Sequence, residues 1–220
     1  MLIAGVDEAG RGCIIGPLVI AGVLFEEETL PILTKLGVKD SKLLSSQKRQ
    51  ALFTKIIKHA KKHAIIKLTP AEIDKAVQSR RKLHKLNRLE AHTMAKVIEA
   101  LRPEVVYVDA ADVIETRFGT HIQENVPFKV RIVSEHNADK KYLVVSAASI
   151  IAKVERDKEI ANLSRNYGEF GSGYLTDPKT IKFLRNWLKT NCEYPDCVRK
   201  SWKTAKKVKN ERGTIQKKLF

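Results

Sequence analysis

Two adjacent carboxylates at the end of an apolar run constrain this chain most strongly. Residues 2–6 are apolar or small, and residues 7–12 read Asp-Glu-Ala-Gly-Arg-Gly. Like charges side by side repel, and each favours its neutral form unless a cation is near. The glycines allow the backbone to approach a ligand closely, and the guanidinium of Arg11 suits a phosphate. This hexapeptide therefore indicates metal-dependent chemistry on a phosphodiester.

The charge balance points to a polyanionic partner. Among 220 residues, 41 are Lys or Arg and 25 are Asp or Glu, which gives a formal net charge of +16. Such an excess favours nucleic acid first and an anionic membrane surface second. A charged surface that only keeps the protein in solution is the alternative explanation. The hydrophobic fraction of 43% is ordinary for a globular protein with a real core.

Cysteine usage and the first residues favour the cytoplasm. The cysteines are Cys13, Cys192 and Cys197, and the last two lack the spacing of a zinc knuckle. No basic segment precedes the first apolar run, so we expect no signal peptide and a reducing compartment. The longest apolar stretch, residues 13–25, contains Gly and Pro and is too short to span a bilayer. We therefore expect a cytoplasmic protein without a membrane partner.

Hydrophobic patterning predicts strands first and strand–helix alternation later. Strands are predicted over residues 2–8, 18–25, 64–68, 105–108 and 128–133, with the first two forming a hairpin-like pair. Helices are predicted over residues 45–62, 86–101, 112–125, 141–165 and 179–188, and another begins at the capping-box motif of Thr69 and Glu72. This order predicts an α/β fold with a mixed five-stranded sheet flanked by helices. Residues 199–220 carry nine basic residues against one acid, and we interpret them as a basic helical tail outside the core.

Carboxylates at strand ends are the candidate catalytic groups. Asp7 and Glu8 end the first strand, and both can reach one site only if the strand bulges at Glu8. Asp109 ends a second apolar strand, where open α/β sheets place their sites. Asp112 competes with Asp109, but Glu115 three residues later favours Asp112 as a helix N-cap.

A fourth carboxylate, Asp139, lies between a predicted strand and the long helix. Its alternative role is that of a helix N-cap. Four carboxylates from separated segments suit a two-cation phosphoryl-transfer site, in which the metals lie about 3.5–4 Å apart. Hard oxygen ligands favour Mg²⁺ or Mn²⁺. His136, three residues before Asp139, either orients a ligand or has a structural role.

Short motifs follow one another in a fixed order over roughly the first 180 residues. They are Asp7-Glu-Ala-Gly-Arg-Gly12, Gly16-Pro17, Asp40-Ser-Lys42, Tyr107-Val-Asp109, Glu135-His136, Ala138-Asp139, Ser146-Ala-Ala-Ser149, Ala152-Lys153 and Gly171-Ser-Gly-Tyr174. This ordered set resembles the type 2 ribonucleases H, the ribonuclease HII family, in its archaeal form. The resemblance implies a ribonuclease H-like catalytic core over residues 1–175 and a basic C-terminal helical segment over residues 176–220.

The resemblance also implies an activity and a set of site residues. The activity is metal-dependent hydrolysis of the RNA strand of RNA/DNA hybrids, together with nicking 5′ of single ribonucleotides in duplex DNA. The products would carry a 3′-hydroxyl and a 5′-phosphate, and the processes served would be ribonucleotide excision repair and DNA replication. The metal ligands would be Asp7, Glu8, Asp109 and Asp139, holding Mg²⁺ or Mn²⁺ as two ions. The substrate contacts would be Gly10, Arg11 and Gly12 at the ribonucleotide and its phosphate, Tyr174 against the sugar, and Lys42 at a phosphate.

The end of the chain and two rival functions stay open. Residues Ile215 to Phe220 resemble, loosely, the C-terminal peptide by which replication enzymes bind the sliding clamp, and a frayed tail or a short packed helix is the alternative. One rival function is another nuclease of the same fold, such as a junction resolvase or an exonuclease, which would not need Gly-Arg-Gly together with Tyr174. The other is a nucleic-acid-binding module without catalysis, which the acidic quartet disfavours. We expect a monomer.

Overall fold

A mixed five-stranded sheet organises the computed structural model, which describes residues 1–38, 44–80 and 85–217. Its strands are β1 (Leu2–Ala9), β2 (Leu18–Glu26), β3 (Lys62–Leu68), β4 (Val105–Asp109) and β5 (Arg131–Glu135). They lie in the order β3-β2-β1-β4-β5. Strand β1 is antiparallel to β2 and parallel to β4, and β4 is parallel to β5. The expected mixed sheet and the pairing of the first two strands are therefore confirmed.

Helices follow the strands in the alternation that the sequence predicts. They are α1 (Pro31–Lys35), α2 (Ser46–His59), α3 (Pro70–Gln78), α4 (Lys85–Leu101), α5 (Glu115–Gln123), α6 (Ala138–Lys141), α7 (Leu143–Tyr167), α8 (Pro178–Thr190) and α9 (Lys203–Lys217). The capping box before α3 is present, because Thr69 and Glu72 each accept a hydrogen bond from the other's backbone N–H. Within the described ranges, no helix is both long and apolar enough to cross a membrane.

Several predicted boundaries are wrong. The helix predicted over residues 45–62 ends at His59, and the helix predicted from residue 112 begins at Glu115. The sequence predicts the fifth strand over residues 128–133, but β5 begins three residues later, at Arg131. Pairing decides this, because Arg131 is the partner of Val105 at the start of β4, while the Phe128 ring lies 4.7 Å from the guanidinium carbon of Arg102. The long helix begins at Leu143 rather than at residue 141, after the short helix α6.

The chain divides into two compact units, each with a hydrophobic cluster of its own. The first comprises Met1–Ala9, Val19–Lys67 and Lys82–Glu155, and the second Gly10–Leu18, Leu68–Arg81 and Arg156–Phe220. The predicted domains, residues 1–175 and 176–220, are consecutive in sequence, whereas each of these units combines separate segments of the chain. The predicted domain division stays a prediction.

In the first unit, alternate residues of the sheet face different helices. Val19, Ala21, Val23 and Phe25 of β2 belong to a buried cluster with side chains of α2 and α7. Gly22 lies on the other face, where an added Cβ would be 2.6 Å from Val97 of α4. On β1, an added Cβ at Gly5 would be 2.3 Å from the carbonyl group of Val144, so only glycine lets α7 pack this closely on the strand.

In the second unit, the C-terminal segment contributes to the core. Leu184 and Leu188 of α8 pack in one buried cluster with Ala205 and Val208 of α9. The prediction that the basic tail is helical is confirmed by α9, but the prediction that it lies outside the core is wrong. Its buried positions lie between the lysines, and a count of charges does not reveal such a stripe.

Candidate active site

Asp7 and Asp109 lie beside each other in the first unit, on two parallel strands. The register pairs Val6 of β1 with Val108 of β4, and each carboxylate follows directly. Asp7 is 4% exposed, and Asp109 is half-buried. The parallel pairing of two predicted strands therefore brings together two of the four predicted metal ligands.

Burial and the second carboxylate control the charge of Asp7. Desolvation is the largest effect and the negative charge of Asp109 the next, and together they raise the pKa of Asp7 to about 7. Three groups act in the opposite direction: the Ser149 hydroxyl, the Glu8 backbone N–H at 2.7 Å, and the ammonium group of Lys153. The pair therefore carries a repulsion that a bound cation would remove.

Helix α7 supplies polar partners to this pair. Ser149 is fully buried and hydrogen-bonds to the Asp7 carboxylate. The Lys153 ammonium donates to the Ser149 hydroxyl oxygen over 2.8 Å. The spacing of four residues places both side chains on the same face of the helix. The sequence motifs contained both residues, but only the structure connects them to Asp7.

The end of β4 also contacts the start of α6. The Asp109 carboxylate accepts a hydrogen bond of 2.8 Å from the backbone N–H of Ala138. Asp139 follows in the first turn of α6 and is buried. Asn137 is the N-cap residue, with a left-handed φ of 54°, so the alternative role of Asp139 as a helix cap does not apply. The ring of His136 lies 3.3 Å from the carbonyl oxygen of Val113.

Glu8 does not adopt the expected bulge. Its backbone stays in register with Ile20 of β2, and Ala9 stays in register with Val19. A regular strand directs successive side chains to opposite faces, so Asp7 and Glu8 leave β1 on different sides. Among the residues that the structure describes, no three His, Cys, Asp or Glu side chains form a group that could hold a metal ion. The predicted set of four ligands therefore stays a prediction.

Asp112 has a structural role, although not the predicted one. The N-cap residue of α5 is Ile114, whose backbone N–H donates to the Asp112 carboxylate over 3.2 Å. Asp112 also pairs with Arg117 in the first turn of α5, and Arg117 is the main cause of the lowered pKa of Asp112. Asp112 is therefore a buried ion-pair partner, and the prediction that it caps the helix is wrong.

The Gly-Arg-Gly turn belongs to the second unit. Gly10 has a left-handed φ of 87°, and an added Cβ would be 2.7 Å from the carbonyl oxygen of Pro17. Gly10 therefore requires glycine for two reasons. Arg11 is partly exposed and Gly12 is exposed, and an added Cβ at Gly12 would have no atom within 4 Å.

Tyr174 lies against this turn. It forms an isolated antiparallel bridge with Cys13, and its hydroxyl oxygen accepts a hydrogen bond from the Gly10 backbone N–H. The Arg156 guanidinium carbon lies 4.5 Å from the centre of the Tyr174 ring. Burial is the main cause of the raised pKa of Tyr174, so the phenol is protonated at neutral pH. The structure thus brings together two predicted substrate-binding segments, the turn and Tyr174.

Arg199 also contacts the turn, and the sequence analysis missed it. Its side chain is fully buried, and its guanidinium donates to the backbone carbonyl groups of Gly10, Arg11 and Gly16 at 2.6–3.2 Å. No sequence pattern indicates this role, because Arg199 begins a run of basic residues of the kind that is usually solvent-exposed. The predicted phosphate contact Lys42 and the end of the predicted clamp peptide, residues 218–220, lie outside the described residues.

The mixed five-stranded sheet with its flanking helices is an α/β fold of the ribonuclease H-like class, and two neighbouring carboxylates lie at the ends of two of its parallel strands. Comparison with known proteins identifies its family, because the model of the Ribonuclease HII family matches residues 4–205. Ribonuclease HII of Thermococcus sibiricus is 47% identical over 213 residues, which cover 96% of this chain and 92% of that protein.

Two solved structures are similar throughout. The ribonuclease H2 of Pyrococcus horikoshii has 44% identity and a TM-score of 0.88, with 96% of this chain and 98% of that chain covered. The ribonuclease HII in a PCNA complex from Archaeoglobus fulgidus has 43% identity and a TM-score of 0.84, with 92% and 96% covered. The chain therefore belongs to the ribonuclease HII family, which are endoribonucleases that cleave the RNA strand of RNA/DNA hybrids.

Proposed function

We propose that this chain also nicks duplex DNA on the 5′ side of single embedded ribonucleotides, by metal-dependent hydrolysis that leaves a 3′-hydroxyl and a 5′-phosphate. The observation that carries the proposal is the pair formed by the buried Asp7 and the half-buried Asp109, in which each carboxylate destabilises the charge of the other. Such a pair is unfavourable for stability alone, and a strongly basic chain with an acidic pair matches a nucleic-acid hydrolase.

The donor chemistry fits a hard divalent cation. Asp7 and Asp109 offer only carboxylate oxygens. Burial first and the negative charge of Asp109 second raise the pKa of Asp7, and a bound cation would offset both effects. Asp139 joins the proposed ligand set because its neighbour Ala138 contacts Asp109. Glu8 is assigned to the set on its place in the motif alone, and its side chain would have to reach the ions from the other face of β1. Two bound Mg²⁺ or Mn²⁺ ions would activate the attacking water and stabilise the leaving oxygen.

The residues of the chain have positioning tasks in this proposal. Ser149 and Lys153 favour the ionised form of Asp7, which is the form that can act as a ligand. The Ala138 backbone N–H fixes one oxygen of Asp109 and thereby the direction of its second oxygen. Fixed ligand geometry lowers the cost of orientation in the reaction.

Recognition of the ribonucleotide is assigned to the turn and to Tyr174. The 2′-hydroxyl is the group that distinguishes RNA from DNA at a single position. The backbone of Gly10, Arg11 and Gly12 is open on the side of Gly12, which supports close approach of a sugar and its phosphate. We assign Lys42 to a neighbouring phosphate on its motif alone. Shape and phosphate contacts suffice for the rest of the duplex, since no base needs to be read.

We further propose a cytoplasmic monomer that binds a sliding clamp through residues Ile215–Phe220. A ribonuclease HII that is 43% identical was solved in a complex with PCNA, and this similarity supports a clamp partner. Deleting residues 215–220 is expected to abolish pull-down by a clamp and to leave hydrolysis of a short substrate unchanged. Retained pull-down would contradict the clamp assignment.

The test of the proposed activity uses a labelled DNA duplex that carries one ribonucleotide. It is incubated with the protein in Mg²⁺, in Mn²⁺ and in a chelator, beside an all-DNA duplex and a continuous RNA/DNA hybrid of the same sequence. We expect a nick 5′ of the ribonucleotide in either metal and none in the chelator or in the all-DNA duplex.

Other outcomes would separate the rival functions. Cleavage of the hybrid without the single-ribonucleotide nick would overturn the proposed repair activity and keep the family activity. Cleavage of an all-DNA junction would favour a resolvase. Binding without any cleavage, and without binding of Mg²⁺ or Mn²⁺ in a titration, would favour a nucleic-acid-binding module.

A further inference from the structure

Arg199 is a buried cation whose guanidinium donates hydrogen bonds to the backbone carbonyl groups of the Gly10-Arg11-Gly12 turn. Its Nη2 lies 2.6 Å from the Gly10 carbonyl oxygen and 3.1 Å from that of Gly16, and its Nη1 lies 2.8 Å from the Arg11 carbonyl oxygen. Nη2 also lies 3.0 Å from the Cys13 sulfur. Burying a charge is costly unless it is compensated, and here carbonyl dipoles supply the compensation. Such an arrangement constrains both the guanidinium and the loop that surrounds it.

Because peptide bonds are planar, the contacts of Arg199 with the carbonyl groups also determine where the N–H groups of the turn point. In a trans peptide the C=O and the next residue's N–H point in opposite directions. Because the Gly10 and Arg11 carbonyl groups point towards Arg199, the N–H groups of Arg11 and Gly12 point away from it. At Gly12 the backbone is open to an approaching ligand, since an added Cβ would have no atom within 4 Å. Successive outward N–H groups form a concavity suited to anionic oxygens.

A second contact holds the segment that carries Arg199. The Asp74 carboxylate in α3 accepts hydrogen bonds from the backbone N–H groups of Lys200, at 2.7 Å, and Ser201, at 3.0 Å, and from the Ser201 hydroxyl. The Arg199 backbone N–H donates to the Ile14 carbonyl oxygen over 2.9 Å. Asp74 and Ile14 therefore fix the backbone on both sides of the Arg199 side chain.

We propose that Arg199 is a positioning residue for substrate recognition, which presents the N–H groups of Arg11 and Gly12 to the sugar-phosphate at the ribonucleotide. The inference rests on the proposed recognition of single ribonucleotides. It adds that a residue of the C-terminal segment holds the recognition turn in place. A lysine could not replace the guanidinium, because one ammonium group cannot hold carbonyl groups in a fixed planar fork.

The experiment compares binding preferences rather than activity. Affinities are measured by fluorescence anisotropy for a duplex with one ribonucleotide and for the all-DNA duplex, with Mg²⁺ and in an Asp109→Asn background that prevents cleavage. The variants are Arg199→Gln, which removes the charge and the fork, and Asp74→Ala, which leaves Arg199 in place. Lys200→Ala is the matched control, since it removes an adjacent positive charge and keeps the backbone N–H that Asp74 binds. Amide hydrogen exchange at Arg11 and Gly12 is followed in parallel.

We expect Arg199→Gln and Asp74→Ala to lower the preference for the ribonucleotide about tenfold or more, with all-DNA affinity unchanged and faster exchange at Arg11 and Gly12. Lys200→Ala should keep the preference. A merely structural role would lower the melting temperature and leave the ratio of affinities unchanged, and that result in folded Arg199→Gln would overturn the inference. If Arg199→Gln does not fold, Asp74→Ala decides in the same way. If the Asp109→Asn protein with Arg199 intact shows no preference for the ribonucleotide duplex over the all-DNA duplex, the proposed recognition itself is overturned. The nicking assay tests that recognition separately.

Discussion

The Asp109 carboxylate accepts a 2.8 Å hydrogen bond from the backbone N–H of Ala138, the residue before Asp139. This contact joins the end of β4 to the first turn of α6. One oxygen of the Asp109 carboxylate therefore accepts a hydrogen bond from the backbone. A carboxylate group has a second oxygen that can bind another ligand. This contact distinguishes Asp109 from the nearby Asp112 and supports the proposal that Asp109 is the metal ligand. Asp112 uses its two oxygens on Arg117 and on the backbone N–H of Ile114.

Replacement of Asp109 by Asn should abolish turnover and preserve the fold. The amide oxygen of Asn can still accept from Ala138, so the contact between β4 and α6 survives, but the negative charge is lost. We expect turnover to fall by about 10²–10³-fold or more, as on removal of a key electrostatic group, with hybrid binding largely retained. Steady-state cleavage and anisotropy measure the two effects. Asp112→Asn is the matched control and should keep its turnover; equal losses in both variants would contradict the assignment.

Asp112 should instead control stability at acid pH. Its side chain is 1% exposed, and Arg117, helped by Asn87 and Ile114, holds the pKa of Asp112 well below its usual value of 3.8, while burial opposes the shift. A carboxyl with a lowered pKa stabilises the folded state above the unfolded pKa, and this contribution is lost as the pH falls. We therefore expect the free energy of unfolding to fall between about pH 5 and pH 2. Asp112→Asn should flatten this decline and lower the free energy of unfolding at pH 7 by about 1–3 kcal/mol. Urea unfolding of both proteins across this pH range, followed by tryptophan fluorescence, measures the difference, and parallel pH profiles would refute it.

Much of the fold follows from local sequence signals. The capping box of Thr69 and Glu72 places the start of α3 correctly, because its hydrogen bonds join residues three apart. The start of β5 at Arg131 was predicted wrongly, because strand ends depend on pairing with β4, which is distant in sequence. The apolar Phe128 made the predicted strand start too early, because its ring packs against the Arg102 guanidinium and Phe128 is not part of the sheet.

In the candidate site too, some residues could be predicted from local sequence and one could not. The sequence indicated Asp7 and Asp109 through acidic residues at the ends of apolar strands, and parallel pairing brings them together. It could not indicate Arg199, whose partner carbonyl groups belong to residues more than 180 positions earlier, as in its bond to Gly16, 183 residues away. Basic residues in a run are normally solvated, and only three-dimensional packing distinguishes a buried arginine from its neighbours.

Tyr174 should contribute through both its ring and its hydroxyl group. Tyr174→Phe removes the oxygen that accepts from Gly10 N–H, while Tyr174→Ala also removes the ring that lies 4.5 Å from the Arg156 guanidinium carbon. We expect Tyr174→Ala to lower kcat/KM at a single ribonucleotide by about 10²-fold, since small displacements at a reacting centre cost that much. Tyr174→Phe should lie between Tyr174→Ala and the wild type. Rates on the single-ribonucleotide duplex test this order, and an unchanged rate for Tyr174→Ala would remove Tyr174 from the site.

Alanine should destabilise the protein at Gly10 of the turn and have little effect on stability at Gly12. At Gly10 the left-handed φ of 87° and the Pro17 carbonyl oxygen 2.7 Å from an added Cβ make alanine strained, and we expect Gly10→Ala to lose about 1–3 kcal/mol of unfolding free energy. At Gly12 an added Cβ has no atom within 4 Å, so Gly12→Ala should change stability by less than about 0.5 kcal/mol.

The new methyl group at residue 12 would nevertheless occupy the outer side of the turn, where we propose that the sugar-phosphate approaches. Gly12→Ala should therefore raise KM or lower kcat on the single-ribonucleotide duplex without any loss of folding stability. Chemical unfolding and nicking kinetics on the same preparations separate the two effects. A Gly12→Ala protein that is as stable and as active as the wild type would show that the substrate does not approach the backbone at this point.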